Sequence, residues 1–287
     1  MLRKIVLLVV LLASSGFVSA QEYTGTLKRI AETGEFRIGF VPDAAPMSFL
    51  DAEGNVIGYS IDLCRHIAAS VRNSMGLDKL DISFVPLIAP EARISAVEEG
   101  IVDIECAAST VTLSRRERVD FTLLTFITGA AVLSMSDAPI PGLDSLNSKR
   151  IAVIEGTTTE DALRDFVELN EFDVKFMFIE THDAGMQALA KGDVDGYASD
   201  RAMLIGQVFR APDAANYTLT NGVFSFEPYA LMIKRGDTDF RLAADRALAS
   251  LYRNARIRRI HHNWFGRYGE VLSPIVEAIY EFQAVGE

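Results

Sequence analysis

Two short segments place anion-binding groups at the predicted starts of helices. In ASTVTLSRRERVDFT (108–122), Ser114 and Glu117 have the spacing of a capping box, so a helix is predicted to begin at Ser114 with Arg115 in its first turn. A helix start offers free backbone N–H groups and a positive potential, and the Arg115 guanidinium adds a bidentate donor for a carboxylate. The segment therefore predicts a clamp for one small anion. The two other arginines are expected to face solvent or to pair with acids.

The second segment is EGTTTED (155–161), which follows an apolar strand pattern. Thr157 and Glu160 form another capping-box pair, and Gly156 permits a tight turn before them. Thr157 or Thr158 can offer a hydroxyl and a backbone N–H to an anion. Ordinary helix capping would explain either segment taken alone, but two helix starts after two strands can converge on one cleft.

Strand and helix patterns alternate along the chain, which predicts parallel sheets covered by helices on both faces. In SIDLCRHIAASVRNSM (60–75), apolar residues recur on one helical stripe. In open α/β sheets, ligands bind outside the carboxyl ends of the strands, where both anion-binding segments fall. The predicted strands are 36–41, 82–87, 101–106, 129–135, 150–154, 174–179, 194–199 and 229–234, and helices are predicted at 60–75, 91–100, from 158, 182–190 and 201–208.

The strand–helix series occurs twice, which predicts one lobe inserted into another. Residues 21–128 would begin lobe 1, residues 129–228 would form the inserted lobe 2, and residues 229–287 would complete lobe 1. The strands at 129–135 and 229–234 flank the insertion and would form a two-strand hinge. A cleft between hinged lobes is a natural site for a small ligand.

The first twenty residues have the layout of a secretory signal. Arg3 and Lys4 precede an unbroken apolar run, and the small residues Ser19 and Ala20 mark a cleavage site, so residues 1–20 are predicted to be a cleaved signal peptide. The apolar run is short for a membrane span. The mature protein is therefore expected outside the cytoplasm.

The charge of the mature chain argues against nucleic-acid binding. Of the 28 basic residues, Arg3 and Lys4 leave with the signal peptide, so 26 basic residues face 39 acidic ones, a net charge of −13. Such a chain is repelled by phosphate backbones. The two cysteines, Cys64 and Cys106, could pair in an oxidising compartment or remain as buried thiols, and the sequence leaves both possibilities open.

Five motifs, in order along the chain, resemble the periplasmic solute-binding proteins of polar amino-acid ABC transporters. They are GYSIDL (58–63), DIECAASTVTLSRRERVDFT (103–122), IAVIEGTTTE (151–160), GDVDGYASD (192–200) and WFGRYG (264–269). The likeness is strongest to the glutamate- and aspartate-binding branch. It implies the two-lobe periplasmic-binding-protein fold, an α/β fold with a mainly parallel sheet in each lobe and a two-strand hinge.

The resemblance also implies a role for particular residues. Arg115 would hold the ligand α-carboxylate with Thr110 and Thr158. Asp200 would take the α-ammonium group with Thr110 and the carbonyl of Ala108. A zwitterion requires such a cation and anion close together in a partly desolvated site.

The subsite for the ligand side chain departs from the family pattern. Arg93 and His182 match positions that grip a distal carboxylate, and His182 would add a positive charge only when protonated. Val41 stands where the pattern has another arginine, and Pro90 stands where it has serine. Glutamate or aspartate is the leading ligand, while glutamine, a related acid and a broader polar set stay open.

The resemblance further implies a periplasmic monomer that delivers its ligand to an inner-membrane ABC permease with a separate ATPase, since the chain has no P-loop. No cofactor, metal or catalytic residue is expected. Two alternatives share the fold: a periplasmic lyase resembling cyclohexadienyl dehydratases, for which Glu155 or Glu180 could supply a proton, and a binding protein that reports its ligand to a membrane receptor.

Overall fold

A computed structural model describes residues 22–269 and 271–286, so the predicted signal peptide lies outside the described residues. The helices are α1 (Gly25–Thr33), α2 (Tyr59–Ser74), α3 (Pro90–Glu98), α4 (Leu113–Arg116), α5 (Thr158–Leu169), α6 (His182–Lys191), α7 (Arg201–Arg210), α8 (Thr238–Arg253), α9 (Arg256–Phe265) and α10 (Pro274–Phe282). The strands are β1 (Glu35–Phe40), β2 (Asp43–Ala44), β3 (Ser48–Leu50), β4 (Val56–Ile57), β5 (Asp81–Pro86), β6 (Ile104–Glu105), β7 (Val119–Thr128), β8 (Ala130–Met135), β9 (Arg150–Ile154), β10 (Lys175–Ile179), β11 (Gly196–Asp200), β12 (Tyr217–Leu219) and β13 (Glu227–Lys234).

Two five-stranded sheets form the centres of two lobes, which confirms the predicted two-lobe α/β fold. Lobe 1 has the strand order β5-β1-β6-β13-β7, and lobe 2 has the order β10-β9-β11-β8-β12. In each sheet the first three strands run parallel and the last two join antiparallel. A small sheet, β2-β3-β4, lies between β1 and α2 in the sequence.

Apolar residues on both faces of each sheet explain why the strands are nearly continuous hydrophobic runs. In lobe 2, Leu133 and Ala152 pack into a cluster on one face, whereas Val132, Ile151 and Val153 pack into a separate cluster on the other. Successive side chains of a strand point to opposite faces, so one short run serves both clusters. Lobe 1 likewise has two clusters, the larger of which also includes buried residues of α2 and α8.

The chain crosses between the lobes at two adjacent points. Lobe 1 contains β7, a ten-residue strand that the sequence patterns did not predict, and it pairs with β13 so that Thr128 faces Glu227. Gly129 follows at once and leads into lobe 2. A Cβ atom on residue 129 would overlap the carbonyl oxygen of Ser225, so the position requires glycine. Of the strands expected to form the hinge, 129–135 corresponds to β8 in the sheet of lobe 2 and 229–234 corresponds to β13 in the sheet of lobe 1, and the hinge itself stays a prediction. The strands that lead into it from lobe 1 are β7 and β13, and the domain boundaries given above stay a prediction.

The lobes also meet along a seam where α7 of lobe 2 contacts the β2–β3 region of lobe 1. Gly206 lies so close to the loop after β2 that a Cβ atom there would overlap the carbonyl of Ala45. The guanidinium of Arg210 lies 5.5 Å from the centre of the Phe49 ring, and Trp264 meets the same ring edge-on at 5.9 Å. The two lobes are therefore in direct contact along this seam.

A disulfide joins Cys64 of α2 to Cys106, directly after β6. The chain has two cysteines in all, so the pairing resolves the alternative that the sequence left open. Beside it, the Ser60 hydroxyl donates a hydrogen bond to the carbonyl of Ala107 at 2.8 Å. Both links hold the segment after β6 against α2. Among the described helices, none is long and apolar enough to span a membrane.

Candidate ligand-binding site

A cavity lies between the lobes at the carboxyl ends of the parallel strands. Its walls include Ile154 and Asp200, the last residues of β9 and β11, and the first turns of α5 and α6. All seven residues predicted to contact the ligand lie on this one cavity: Arg93, Ala108, Thr110, Arg115, Thr158, His182 and Asp200. The structure therefore brings the predicted set together, and their contact with a ligand stays a prediction.

Arg115 lies in a single helical turn whose cap differs from the prediction. The N-cap is Thr112, whose hydroxyl accepts a hydrogen bond from the backbone N–H of Arg115 at 3.1 Å. The predicted cap at Ser114 is wrong because α4 ends at Arg116, which leaves Glu117 at the helix end. The Arg115 guanidinium donates to the carbonyl of Thr110 at 2.8 Å and faces the cavity.

Charge and burial around Arg115 suit a carboxylate ligand. Burial lowers its pKa, and the positive charge of Arg93 lowers it further, while nearby carboxylates oppose that shift. Guanidinium groups stay protonated in proteins, so a partly desolvated cation is available. The other two arginines of the segment differ: Arg116 is exposed and lies over the Phe121 ring, and Arg118 pairs with acids of α3.

Thr157 caps α5 as predicted, but the reciprocal bond of the capping box forms one residue earlier, at Gly156. The hydroxyl of Thr157 accepts from the backbone N–H of Glu160 at 3.2 Å, and the Glu160 carboxylate accepts from the N–H of Gly156 at 2.8 Å. Gly156 has a φ of +75°, which glycine adopts without strain. This turn aims the side chain of Thr158, the first residue of α5, toward lobe 1.

Glu227, which the sequence analysis missed, is a buried residue that does not line the cavity but accepts hydrogen bonds from two threonines that do. One oxygen of its carboxylate accepts hydrogen bonds from the hydroxyls of Thr110, at 2.6 Å, and Thr158, at 2.8 Å. Its other oxygen accepts from Ser225 at 2.6 Å. Glu227 thus holds the two threonine hydroxyls that were expected to contact the ligand carboxylate. The one available signal was an acid at the start of the apolar run EPYALMIK.

Asp200 is buried at the end of β11, at the junction of the lobes. Its carboxylate accepts hydrogen bonds from Thr159 at 3.0 Å and from the hydroxyl of Tyr229. Asp200 precedes α7, but its side chain makes no capping hydrogen bond, so helix capping does not account for it. Burial, followed by the nearby Glu227 carboxylate, raises the pKa of Asp200 to about 7. A ligand ammonium group would compensate this buried acid.

The partners of the Arg93 guanidinium all lie in lobe 1, the lobe to which Arg93 itself belongs. Its Nε lies 3.2 Å from the Glu105 carboxylate, close enough for an ion pair although the two atoms are not aligned as a hydrogen bond. Its Nη2 donates to the hydroxyl of Ser109 at 2.6 Å and to the carbonyl of Ala108 at 3.3 Å. The Ala108 carbonyl predicted to meet the ligand ammonium is therefore shared with Arg93.

His182 begins α6 and lies beside an acid that the sequence analysis did not consider. Its Nδ1 is 2.7 Å from the Tyr197 hydroxyl. Burial is the main cause that lowers its pKa, so the imidazole is neutral at neutral pH. Asp43, also on the cavity wall, raises that pKa to a lesser extent. His182 therefore adds no second positive charge to the cleft.

The two positions that depart from the family pattern also lie on the cavity. Val41 is buried, and its backbone is hydrogen-bonded to the hydroxyl of Ser48, while Pro90 opens α3. Of the two candidate acids for a lyase, Glu180 lines the cavity, whereas Glu155 is not among its lining residues. Within the described residues, no group of acids, histidines or cysteines could hold a metal ion.

The walls of the cleft between the two α/β lobes carry a partly buried cation, Arg115, and a buried anion, Asp200, and this pair of charges is complementary to a small zwitterion. The chain belongs to the bacterial extracellular solute-binding proteins, family 3, whose sequence model matches residues 36–267. This family assignment agrees with the resemblance seen in the sequence motifs.

Three known proteins illustrate the relationship. The L-glutamate/L-aspartate-binding protein of Pseudomonas aeruginosa is 31% identical over 249 residues, which span 86% of this chain and 82% of the relative. The structure of an ancestral arginine-binding protein bound to glutamine is 26% identical, with a TM-score of 0.72, and covers 81% of this chain and 98% of its own. An ancestral amino acid-binding protein described as a precursor of cyclohexadienyl dehydratase has the same TM-score, 24% identity and coverage of 84% and 100%. That last likeness concerns the fold alone. The similar proteins found by sequence carry the names of amino-acid-binding proteins, which supports a non-enzymatic role for this chain.

Proposed function

We propose that this protein captures an amino acid in the interlobe cleft, outside the cytoplasm, and delivers it to an ABC permease in the inner membrane. Glutamate and aspartate are the first candidate ligands. The observation that carries the proposal is the placement of Arg115 in lobe 1 and Asp200 in lobe 2 on the walls of one cavity. An α-carboxylate and an α-ammonium group would pair with them, so the ligand would join the lobes.

Several observations support this proposal. Arg115 and Asp200 are both desolvated, and a desolvated charge is stabilised by a partner of opposite sign. The relative in Pseudomonas aeruginosa that is named for glutamate and aspartate supports the choice of ligand. The disulfide supports an oxidising compartment such as the periplasm. Because the sequence has no P-loop, a separate ATPase would supply the energy for transport.

A thermal-shift screen of the twenty amino acids, followed by calorimetry, tests the binding step. A ligand present at one hundred times its dissociation constant should raise the free energy of unfolding by about 2.7 kcal/mol. Glutarate, which lacks the ammonium group, and 4-aminobutyrate, which lacks the α-carboxylate, serve as controls and should bind weakly. The proposal fails if no amino acid stabilises the protein, or if both controls bind as well as glutamate. Uptake of the labelled ligand by cells with and without the gene tests delivery.

A further inference from the structure

We propose that Asp43 opposes a negative charge on the ligand side chain, so that the cleft binds amide side chains at least as tightly as the corresponding carboxylates. This inference rests on the proposed function, because it concerns the far end of the same amino-acid cleft, and it ranks glutamine and asparagine level with or ahead of glutamate and aspartate, the ligands that the family resemblance favours. It assigns a specificity role to Asp43, a residue that neither the motifs nor the family resemblance singled out.

The position of Asp43 is the first step. Asp43 is 8% exposed, and it lines the cavity together with Val41 and His182. One carboxylate oxygen, Oδ2, accepts a hydrogen bond from the backbone N–H of Asp183 at 3.1 Å. That N–H belongs to the first turn of α6, where free N–H groups and the helix dipole attract anions. An internal carboxylate therefore already occupies the anion-binding end of this helix.

The second step is that, among the described residues, the two arginines that act on His182 already have acidic partners. Arg93, which lines the cavity, pairs with Glu105 and donates to Ser109, and Arg210 lies 3.8 Å from the Asp183 carboxylate. Val41 is apolar, and the His182 imidazole is held by Tyr197 in a buried setting. A ligand carboxylate placed here would meet the Asp43 charge in a partly desolvated space, where like charges repel more strongly than in water.

The third step is the hydrogen-bonding capacity that Asp43 retains. Within the described part of the chain, its second oxygen, Oδ1, makes no hydrogen bond with the protein, although the residue borders the cavity. An ionised carboxylate has only acceptors, whereas a side-chain amide has two N–H donors and one acceptor. An amide N–H could donate to the free oxygen of Asp43, whereas a ligand carboxylate could not. Sites that hydrogen-bond a particular polar group discriminate strongly against a ligand that lacks it.

Asp43→Asn tests the proposal with little structural change, because an asparagine oxygen can still accept from Asp183. Calorimetry would measure the dissociation constants of glutamate and glutamine, and of aspartate and asparagine, for the wild type and the variant. The wild type should bind the amide at least as tightly as the acid. In Asp43→Asn, affinity for the acid should rise at least tenfold, about 1.4 kcal/mol, with affinity for the amide unchanged or weaker.

The matched control is Asp78→Asn, which removes one negative charge from an exposed position and should leave the acid-to-amide ratio unchanged. If Asp43→Asn does not fold, Asp43→Ser serves as the second variant. The inference is overturned if the wild type prefers the acid tenfold or more, if the ratio does not change in the variant, or if a cationic amino acid binds the wild type more tightly than the amide. Failure of the wild type and of all variants to bind any amino acid would instead refute the proposed function.

Discussion

The two lobes contribute opposite halves of the binding site. Both arginines among the described lining residues, Arg93 and Arg115, come from lobe 1, whereas Asp200 and the starts of α5 and α6 come from lobe 2. A free amino acid carries both charges on one small molecule, so neither lobe alone matches it. We therefore expect ligand binding and lobe closure to be coupled, because the complete site exists only when the lobes meet.

Removing the lobe 1 cation should have the largest effect on binding. Arg115→Ala should weaken every amino-acid ligand by about 2–5 kcal/mol, because all of them share the α-carboxylate and the variant leaves that charge unpaired in the cleft. Calorimetry on the folded variant measures the change. Arg116→Ala is the control, since Arg116 is exposed in the same helical turn and lies over the Phe121 ring. Unchanged affinity in Arg115→Ala would contradict the clamp.

Removing the lobe 2 anion should have a smaller effect that depends on pH. Asp200→Asn should weaken amino acids by about tenfold, or 1.4 kcal/mol, at pH 8, where the wild-type carboxylate is ionised. Because the pKa of Asp200 is about 7 in the ligand-free protein, wild-type affinity should fall between pH 8 and pH 6, and the variant should lose this trend. Glutarate has no ammonium group and should not suffer from the substitution. Equal losses for glutarate and glutamate would show a structural role.

The same substitution should change the pH dependence of stability. The folded-state pKa of Asp200 is raised above its ordinary value of 3.8, so the native state binds more protons than the unfolded state between about pH 4 and pH 7. The free energy of unfolding of the ligand-free wild type should therefore decrease as pH rises through this window. Asp200→Asn should flatten this part of the profile. Asp213→Asn, at an exposed position in the same lobe, should retain it.

Blocking the contact between the lobes should have the smallest effect on ligand affinity. Gly206→Ala adds a methyl group that would overlap the carbonyl of Ala45, so the lobes should close less fully and every ligand should lose affinity by a similar factor of about three to ten, or roughly 0.7–1.4 kcal/mol. Small-angle scattering with saturating ligand should show a larger radius of gyration than for the wild type. Gly286→Ala is the control because a Cβ atom there meets nothing within 4 Å. A loss confined to one ligand would argue against a closure effect.

Much of the fold could be predicted because the local patterns and the tertiary structure agree. Residues 150–154 are a strand with the predicted bounds, and Thr157 caps a helix as its spacing indicated. The strand β7 was missed because it follows the arginine segment without a turn signal, and its partner β13 is about a hundred residues away. The cap of α4 is Thr112 instead of Ser114, two residues after Thr110, which pairs with Tyr229 of β13 in a bridge that no local pattern shows.

The sequence could predict only part of the candidate site, for a related reason. Arg115, Thr158 and Asp200 lie next to strand ends and helix starts, which are local signals. Glu227 and Asp43 depend on partners that are distant in the sequence: Glu227 accepts from Thr110, and Asp43 accepts from Asp183 of the other lobe. Their roles arise only when the folded chain brings these groups together, so residue type and spacing could not reveal them.

The seam also gives this protein an optical reporter of its own. Trp264 is the chain's single tryptophan, and its indole N–H donates to the Asp62 carboxylate at 2.7 Å. Its ring meets Phe49, which in turn lies under the guanidinium of Arg210 from the other lobe. Opening of the cleft would withdraw that charge from the neighbourhood of the indole. Tryptophan emission should therefore follow the movement of the lobes in solution, and a ligand titration could be read by fluorescence without any attached dye.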